Sequence, residues 1–207
     1  MGVYIFTWAT LKRHLIANEM DEGATKDFGK NIIPAMLNAG ERLYAFEFEG
    51  YWKDVGTIDS LWESNMDLLG DRPALNLKDR EWRIHSRNDA LPPHYVGQGA
   101  VINNSIITEG CEIYGHVENS VLSPDVQVGE GAEVLYSVLM PGVVVEEGAK
   151  VEYAIVGENT IIRKGAHVGT APDGSEGWGV ATCGPDIEIR EGATVAANAM
   201  IYKSEEV

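Results

Sequence analysis

The stretch that decides the fold contains four similar blocks: NSIITEGCEI (104–113), NSVLSPDVQV (119–128), YSVLMPGVVV (136–145) and YAIVGENTII (153–162). Through and beyond them, an aliphatic residue recurs every five or six positions, with one interval of four. The recurring residues are Ile107, Ile113, Val117, Leu122, Val128, Val134, Leu139, Val145, Val151, Val156, Ile162 and Val168. A helix would place apolar residues at i, i+3, i+4 and i+7, and a sheet strand would alternate over a short run. The sustained near-hexapeptide period instead predicts a parallel β-helix, in which three short strands make one coil.

A second set of small or apolar residues precedes many of these aliphatics by two positions, and we predict that it also points inward. Its members are Cys111, Val126, Ala132, Val143, Ala149, Thr160 and Ala166. Glycines near the expected corners suit a tight turn, because without a Cβ unusual backbone angles cost little; they are Gly110, Gly131, Gly142, Gly148, Gly157 and Gly165. We therefore expect a left-handed parallel β-helix, a stacked solenoid, over residues 98–207. A Gly-rich insertion is expected at 170–186, with the repeat resuming at 187–201.

Residues 1–70 have a different pattern, and they predict an α/β fragment. The segments GVYIF (2–6) and RLYAFEFEGYW (42–52) are predicted strands, the first of them buried on both faces. Three amphipathic helices are predicted: one around residues 11–16, one from Asp27 that Pro34 kinks or splits, and one over 58–69 with Thr57 as N-cap. Residues 71–97 are expected to form a connector, and its Trp82 and Ile84 suggest that it is docked.

Composition excludes several classes of protein. The formal net charge of the 207 residues is −16, and residues 96–207 carry 17 acidic and 5 basic side chains. This charge argues against nucleic acid or an anionic membrane surface as a general partner. Two cysteines make neither a disulfide framework nor a zinc site. We expect no signal peptide, and no apolar run in the sequence is long enough for a membrane helix. We expect a cytoplasmic protein.

The segment WKDVGT (52–57) is the candidate site, since it lies between a predicted strand and a predicted helix. Ligands of open α/β sheets bind at such strand ends. The carboxylate of Asp54 could hold Mg²⁺ beside phosphate oxygens, and Trp52 could pack on a sugar ring. The alternative is structural: a buried Trp, and an Asp that bonds to the turn backbone. Asp27 has a comparable alternative as a helix N-cap.

These motifs in this order resemble bacterial glucose-1-phosphate adenylyltransferase, also called ADP-glucose pyrophosphorylase. The resemblance is carried by GVYIF (2–6), DFGKNIIP (27–34), YWKDVGTI (51–58), SLWESNMDLL (60–69) and LPP (91–93), followed by hexapeptide coils. It implies an Mg²⁺-dependent nucleotidyltransferase that makes ADP-glucose and diphosphate from ATP and glucose 1-phosphate, for glycogen or starch biosynthesis. It also implies an oligomer, a tetramer in the family, in which the β-helix helps assembly and the domain junction takes part in allosteric control.

The resemblance implies roles for individual residues. Asp54 corresponds to a catalytic, metal-binding carboxylate, and the sugar-phosphate pocket corresponds to Tyr4, Asp27, Phe28 and Trp52. Lys53 falls at a variable position of the motif and has no implied role.

Three features of the family lie upstream of its counterpart of GVYIF and do not occur in this sequence. They are the Gly-rich nucleotide loop with its Arg, a first metal-binding Asp, and a Glu-Lys pair that grips the sugar phosphate. We therefore expect the chain to be the C-terminal part of such an enzyme and to have no adenylyltransferase activity alone.

Two other functions fit part of the sequence. A hexapeptide-repeat acyltransferase would use a coil histidine, His116 or His167, but it leaves DFGK and WKDVGT without a role. A non-catalytic assembly module would use the solenoid for contacts between subunits, and it is compatible with the first hypothesis.

Overall fold

A computed structural model of the chain describes residues 2–86 and 90–204. Two compact units make up the molecule, residues 1–50 and residues 51–207.

The first unit is helical. Helix α1 (Trp8–Met20) is followed by a π-helical turn (Phe28–Ile32) that runs directly into helix α2 (Ile33–Asn38). Pro34 lies in the first turn of α2, and the helical segment is continuous from the π-helical turn through it. The helix is therefore not split at Pro34, and a kink there stays a prediction. Ile32 and Met36 are 1% and 4% exposed and form the buried part of this unit.

The strands predicted at 2–6 and 42–52 do not form. Within residues 2–86 of the described chain there is no β-strand, so neither segment is paired with a neighbouring strand. A strand needs such a neighbour, because its N–H and C=O groups must be hydrogen-bonded. Ile5 is 100% exposed and Phe46 is 87% exposed. The prediction that residues 2–6 are a strand buried on both faces is therefore wrong for this chain.

In the second unit, helix α3 (Ile58–Met66) precedes eighteen short strands within the described residues. The strands are β1 (Tyr95–Val96), β2 (Val101–Asn103), β3 (Ile106–Ile107), β4 (Glu112–Ile113), β5 (His116–Glu118), β6 (Val121–Leu122), β7 (Gln127–Val128), β8 (Glu133–Leu135), β9 (Val138–Leu139), β10 (Val144–Val145), β11 (Lys150–Glu152), β12 (Ala154–Val156), β13 (Ile161–Ile162), β14 (His167–Val168), β15 (Ala181–Cys183), β16 (Glu188–Ile189), β17 (Thr194–Val195) and β18 (Met200–Ile201).

These strands form three six-stranded parallel sheets. Sheet A has the order β1-β4-β7-β10-β13-β16, sheet B β17-β14-β11-β8-β5-β2, and sheet C β18-β15-β12-β9-β6-β3. Each strand pairs with the strand three places along the chain, as Ile113 with Val128 and Val151 with Val168. Consecutive strands belong to different sheets, so three strands complete one coil and the unit has six coils. The predicted parallel β-helix is confirmed.

The core of the β-helix consists of the side chains predicted to point inward. Among the recurring aliphatics, Ile113 to Val168 are at most 1% exposed, while Ile107 in the first coil is half-buried. The second predicted set, from Cys111 to Ala166, is equally buried. The hexapeptide period therefore predicts correctly which residues of both sets point inward, once a coil has neighbours on both sides.

A ladder of serine side chains runs along one corner of the β-helix. Ser120 N donates to Ser105 Oγ at 3.1 Å, Ser137 N to Ser120 Oγ at 3.0 Å, and Ala154 N to Ser137 Oγ at 3.2 Å. These hydroxyls bind amides that the strand ladders leave unpaired, since buried N–H groups need an acceptor. The same four positions mark the repeat in the sequence.

Beside this ladder, the first residue of each of the four sequence blocks has a left-handed backbone conformation. It is Asn104, Asn119, Tyr136 and Tyr153 in successive coils, with φ between 42° and 49°. The two asparagines are joined by a side-chain hydrogen bond of 2.6 Å, and the two tyrosine rings stack with centroids 4.8 Å apart and planes 8° apart. Contacts between like side chains in successive coils thus stabilise a backbone conformation that non-glycine residues rarely adopt.

Helix α3 covers the outer face of sheet C. Ile58, Leu61, Trp62 and Met66 of the helix pack on Val138 and Ile155, which are outward-facing yet only 2% and 6% exposed. The strands of sheet C carry aliphatic pairs, such as Val138–Leu139 and Ile155–Val156, because one residue fills the core and the other lies beneath α3.

The insertion lies in the fifth coil and is shorter than predicted. Ala154 pairs with Ala181, 27 positions on, whereas Ile155 pairs with Val138, 17 positions back. Residues 181–183 form strand β15, so the prediction that the Gly-rich loop extends to 186 is wrong at its C-terminal end. Trp178 in the loop anchors it, since its Nε1–H donates to Thr170 O at 2.9 Å.

The described part of the connector ends on the first coil, where Gly110 N donates to Pro92 O at 2.7 Å. Trp82 and Ile84 do not dock it within this chain, because they are 82% and 68% exposed. The domain boundaries at 70 and 97 stay a prediction.

Candidate active-site segment

The segment 51–57 leads into helix α3, and its side chains alternate in their contacts. The Tyr51 hydroxyl donates to Asp67 Oδ2 at 3.0 Å, and Lys53 Nζ donates to the same oxygen at 2.9 Å. Trp52 and Asp54 make no such contact and are exposed, Trp52 by 54%. The segment therefore presents the two predicted site residues to solvent and holds the intervening residues against the helix.

Lys53 is paired with two carboxylates of α3 and the residue that follows it. Its Nζ lies 3.0 Å from Glu63 Oε2 as well as 2.9 Å from Asp67 Oδ2. The hydrogen bond to Asp67 is the main reason that the pKa of Lys53 is raised, and the same bond holds the pKa of Asp67 below its usual value. Desolvation, followed by the hydrogen bond to Asp67, raises the pKa of Tyr51. All three groups keep their neutral-pH protonation states.

The predicted metal ligand, Asp54, has one carboxylate oxygen engaged. Gly56 N donates to Asp54 Oδ1 at 3.0 Å, which is the turn geometry of the structural alternative. The other oxygen has no hydrogen-bond partner among the described residues. Those residues also include no group of three or more His, Cys, Asp or Glu side chains placed to hold a metal ion. Asp54 thus fits Mg²⁺ as one carboxylate ligand, and a complete protein site is absent from the described residues.

The other predicted pocket residues lie in the first unit. Tyr4 and Phe28 stack with centroids 6.1 Å apart and planes 12° apart, and Phe6 adjoins both rings. Tyr4 and Phe28 remain 45% and 38% exposed. The Asp27 carboxylate accepts a hydrogen bond from Lys30 N at 2.8 Å, so it caps the π-helical turn as the structural alternative expects. The structure brings these aromatic residues together; the roles of all five predicted residues remain predictions.

The coil histidines have carboxylate partners on sheet B. His167 Nε2 lies 2.8 Å from Glu152 Oε1, and His116 Nε2 lies 3.4 Å from Glu118 Oε2. The Glu152 side chain is 10% exposed and also pairs with Lys150 Nζ at 3.0 Å. Burial raises the pKa of Glu152, but the hydrogen bonds from Lys150 and His167 outweigh it and hold the pKa below its usual value. Glu152 is thus a buried, paired anion.

Comparison with known proteins bears on both parts of the chain. Residues 1–70 match the family model "Nucleotidyl transferase", and residues 93–182 match the model "GlmU-like, C-terminal hexapeptide". A glucose-1-phosphate adenylyltransferase of Clostridium botulinum (strain Eklund 17B / Type B) is 55% identical over 130 residues, which are 63% of this chain and 34% of that protein. The enzyme of the same name from Clostridium kluyveri is 54% identical over 137 residues, 66% of this chain and 36% of that protein. Over about two thirds of its length, this chain is similar to bacterial glucose-1-phosphate adenylyltransferases.

A third glucose-1-phosphate adenylyltransferase, from Acetivibrio thermocellus, is 53% identical over 137 residues, 66% of this chain and 32% of that protein. The resemblance inferred from the motifs is confirmed. The chain spans about a third of the length of these glucose-1-phosphate adenylyltransferases. In the described residues, no helix is both long and apolar enough to cross a bilayer.

The anchoring residues Tyr51, Lys53 and Asp67 were not among the predicted site residues. Glu63 and Asp67 are four positions apart, and this spacing places their carboxylates on one face at the end of α3. The sequence does not show that Lys53 meets them there.

Proposed function

We propose that this chain forms part of a glucose-1-phosphate adenylyltransferase and contributes glucose 1-phosphate contacts, one metal ligand and the β-helix. The similarity of residues 1–70 to nucleotidyl transferases, together with relatives of that name at about 55% identity, carries the proposal. In the reaction, a phosphate oxygen of glucose 1-phosphate attacks the α-phosphorus of ATP; the bond to the β-phosphate oxygen breaks, and diphosphate leaves. The setting is the cytoplasm.

The proposed work of these residues is positioning. Trp52, with half its surface exposed, offers an apolar face to a sugar ring, and Tyr4 and Phe28 offer a second aromatic surface. The open oxygen of Asp54 would hold one position of Mg²⁺, which when bound neutralises charge on the phosphate oxygens. Holding reactants in place and balancing charge are the main contributions a protein makes to such a transfer.

The test is an assay of ATP and glucose 1-phosphate turnover with Mg²⁺, on the 207-residue chain alone and mixed with the upstream part of the Clostridium kluyveri relative. We expect activity only in the mixture. Asp54→Asn should lower that activity by about 100-fold or more, the usual size for loss of a charge-stabilising group. Asp59→Asn, an exposed acid five residues on, is the matched control and should change activity less than about twofold.

Turnover by the chain alone, or equal activity of the two variants, would contradict the proposal. If neither sample turns over, the assembly function is favoured. The observation that supports assembly is the exposure of apolar residues in the first coil, where Tyr95, Val96 and Val101 are each more than 40% exposed. Sedimentation of Val101→Lys against the unaltered chain would then show whether this end is a subunit contact.

A further inference from the structure

Helix α3 is fixed to the β-helix by an aromatic cluster. Trp62 Nε1–H donates to the Tyr136 carbonyl at 2.7 Å, and the Trp62 ring lies 5.9 Å from that of Tyr153. Tyr153 in turn stacks on Tyr136 and meets Trp178 edge-on at 5.7 Å. One indole therefore links α3 both to two successive coils and, through Tyr153, to the insertion loop.

The same helix holds the segment in front of it through Lys53. Its ammonium bridges Glu63 in the last turns of α3 and Asp67 just after it, at 3.0 and 2.9 Å. The Lys53 side chain is 24% exposed, which shields both ion pairs from part of the solvent. The chain thus folds back on α3 at Lys53, between the two exposed residues Trp52 and Asp54.

We propose that Lys53 is a positioning residue through which the β-helix fixes the WKDVGT segment. The contacts form a continuous series. The coil tyrosines contact Trp62 of α3, and the same helix carries Glu63 and ends at Asp67. These two carboxylates bind Lys53. This inference rests on the proposed function for its consequence in turnover, since Trp52 and Asp54 are the residues that Lys53 would hold in place.

The geometry separates this role from a catalytic one. Lys53 directs its ammonium at α3, so its charge is already satisfied by two carboxylates and is not available to a phosphate. Without Lys53, Asp67 keeps only the Tyr51 hydroxyl, and a neutral hydroxyl is a weaker partner for a carboxylate than an ammonium. The segment before α3 then loses its charged anchor, while the coils keep all of their contacts.

The decisive measurement is amide hydrogen exchange on the full 207-residue chain. Gly56 N and Thr57 N are hydrogen-bonded to Asp54 Oδ1 and Ser60 Oγ, so they report the order of the segment. In Lys53→Met, we expect their exchange to be about fivefold to tenfold faster, the size expected for a partly exposed ion pair with two partners. Lys53→Arg should restore the slow exchange, since a guanidinium can reach both carboxylates.

Two controls make the result specific. Lys78→Met removes an exposed lysine in the connector and should leave residues 56 and 57 unchanged. Coil amides, such as those of Val128 and Val145, should exchange equally in every variant with a change at Lys53. Unchanged exchange at 56 and 57 in Lys53→Met, or no recovery in Lys53→Arg, overturns the positioning role.

The link to the coils has its own variant. Tyr153→Leu removes the ring that contacts both Trp62 and Trp178 but leaves an apolar residue at the corner. We expect faster exchange in α3 and at 56 and 57, with Lys53 intact. If α3 loosens and the segment does not, the β-helix does not act through Lys53.

Turnover distinguishes this inference from the proposed function. In the reconstituted mixture, Lys53→Met should lower kcat about tenfold and Lys53→Arg should recover it. A change in exchange without any turnover in the unaltered mixture would leave the positioning role standing and would remove the proposed function. Normal turnover in Lys53→Met despite faster exchange would overturn the positioning role.

Discussion

Gly169 and Gly174 have the same backbone conformation, φ +79°, but different surroundings. A Cβ at Gly169 would collide with the Glu152 carbonyl oxygen, whereas a Cβ at Gly174 would meet nothing within 4 Å. Left-handed strain is common to both, so the comparison isolates the collision. We expect Gly169→Ala to lower the free energy of unfolding by about 1–3 kcal/mol more than Gly174→Ala, the range for overpacking. Urea denaturation measures both, and equal losses would contradict the structure.

Glu152 provides a second prediction for a single side chain. Its folded-state pKa lies below the usual value, so its stabilisation is present above the unfolded pKa and is lost as pH falls through the folded one. Glu152→Gln should lower the free energy of unfolding by about 2 kcal/mol at pH 7, as for a buried group bonded to charged partners.

The pH dependence is the control within that experiment. The difference between Glu152→Gln and the unaltered chain should shrink as pH falls from about 5 to 3, the range in which such carboxyls titrate. Glu158→Gln, at an exposed position, should show a much smaller difference at every pH. A gap for Glu152→Gln that does not depend on pH would show that its charge contributes nothing.

At the scale of single residues, the inward positions were predictable and the anchors were not. The inward orientation of Leu139 or Ala149 is predicted by a period that every coil repeats, because each inward position has the same narrow space to fill. Lys53 has no period to reveal it, since its role depends on one lysine meeting two acids across a turn. Gly157 shows a third case: it sits at a corner as predicted, but the reason is the Pro185 nitrogen, 2.5 Å from where its Cβ would lie.

At the scale of elements, helix α3 gives a prediction about sheet C. Ile155 and Ile161 both face outward, on strands that follow one another in the chain but belong to sheets C and A, and only Ile155 is covered by α3. Ile155→Thr should reduce the free energy of unfolding by about 1–2 kcal/mol, since it puts a hydroxyl under the helix and removes apolar contact. Ile161→Thr, on sheet A, should have a smaller effect. Denaturation curves of the two variants decide it, and the reverse order would rule out α3 as a cover.

The helix itself was predictable, but its packing partner was not deduced. Thr57 caps α3 as predicted, with Ser60 N donating to its hydroxyl at 3.2 Å. Sheet C carries aliphatic pairs, but sheet A carries them too, as Val144–Val145 and Ile161–Ile162. The pairs alone therefore do not identify which outer face α3 covers.

At the scale of the whole molecule, the two units differ in how much they bury. The coils share one continuous core, whereas in residues 2–50 only Ile32 and Met36 are buried apolar side chains. We expect amides in residues 2–50 to exchange at least about 100-fold faster than coil amides, because few buried contacts oppose local opening. Exchange measured at equal temperature and pH tests this, and uniform protection of both units would contradict it.

Sequence patterns could not show that the strands at 2–6 and 42–52 would be unpaired. The alternation that identifies a strand is a property of one segment, while a ladder requires two. Val3, Tyr44 and Phe46 are residue types that favour strands, yet each is at least 80% exposed in this chain. A coil of the β-helix avoids this problem, because its partner strand is encoded one coil away, 15 to 18 residues along the chain or 27 across the insertion.

The fifth coil shows how the gene of such a protein can change in length without changing its fold. Its path takes 27 positions where its neighbour takes 17, yet the strands on either side pair without any slip in register. A reading frame could therefore gain or lose whole codons at this corner while the ladders above and below stay intact. The same corner is a suitable insertion site for an epitope or a fluorescent tag, because the strand pairing of the β-helix does not depend on the length of the loop there.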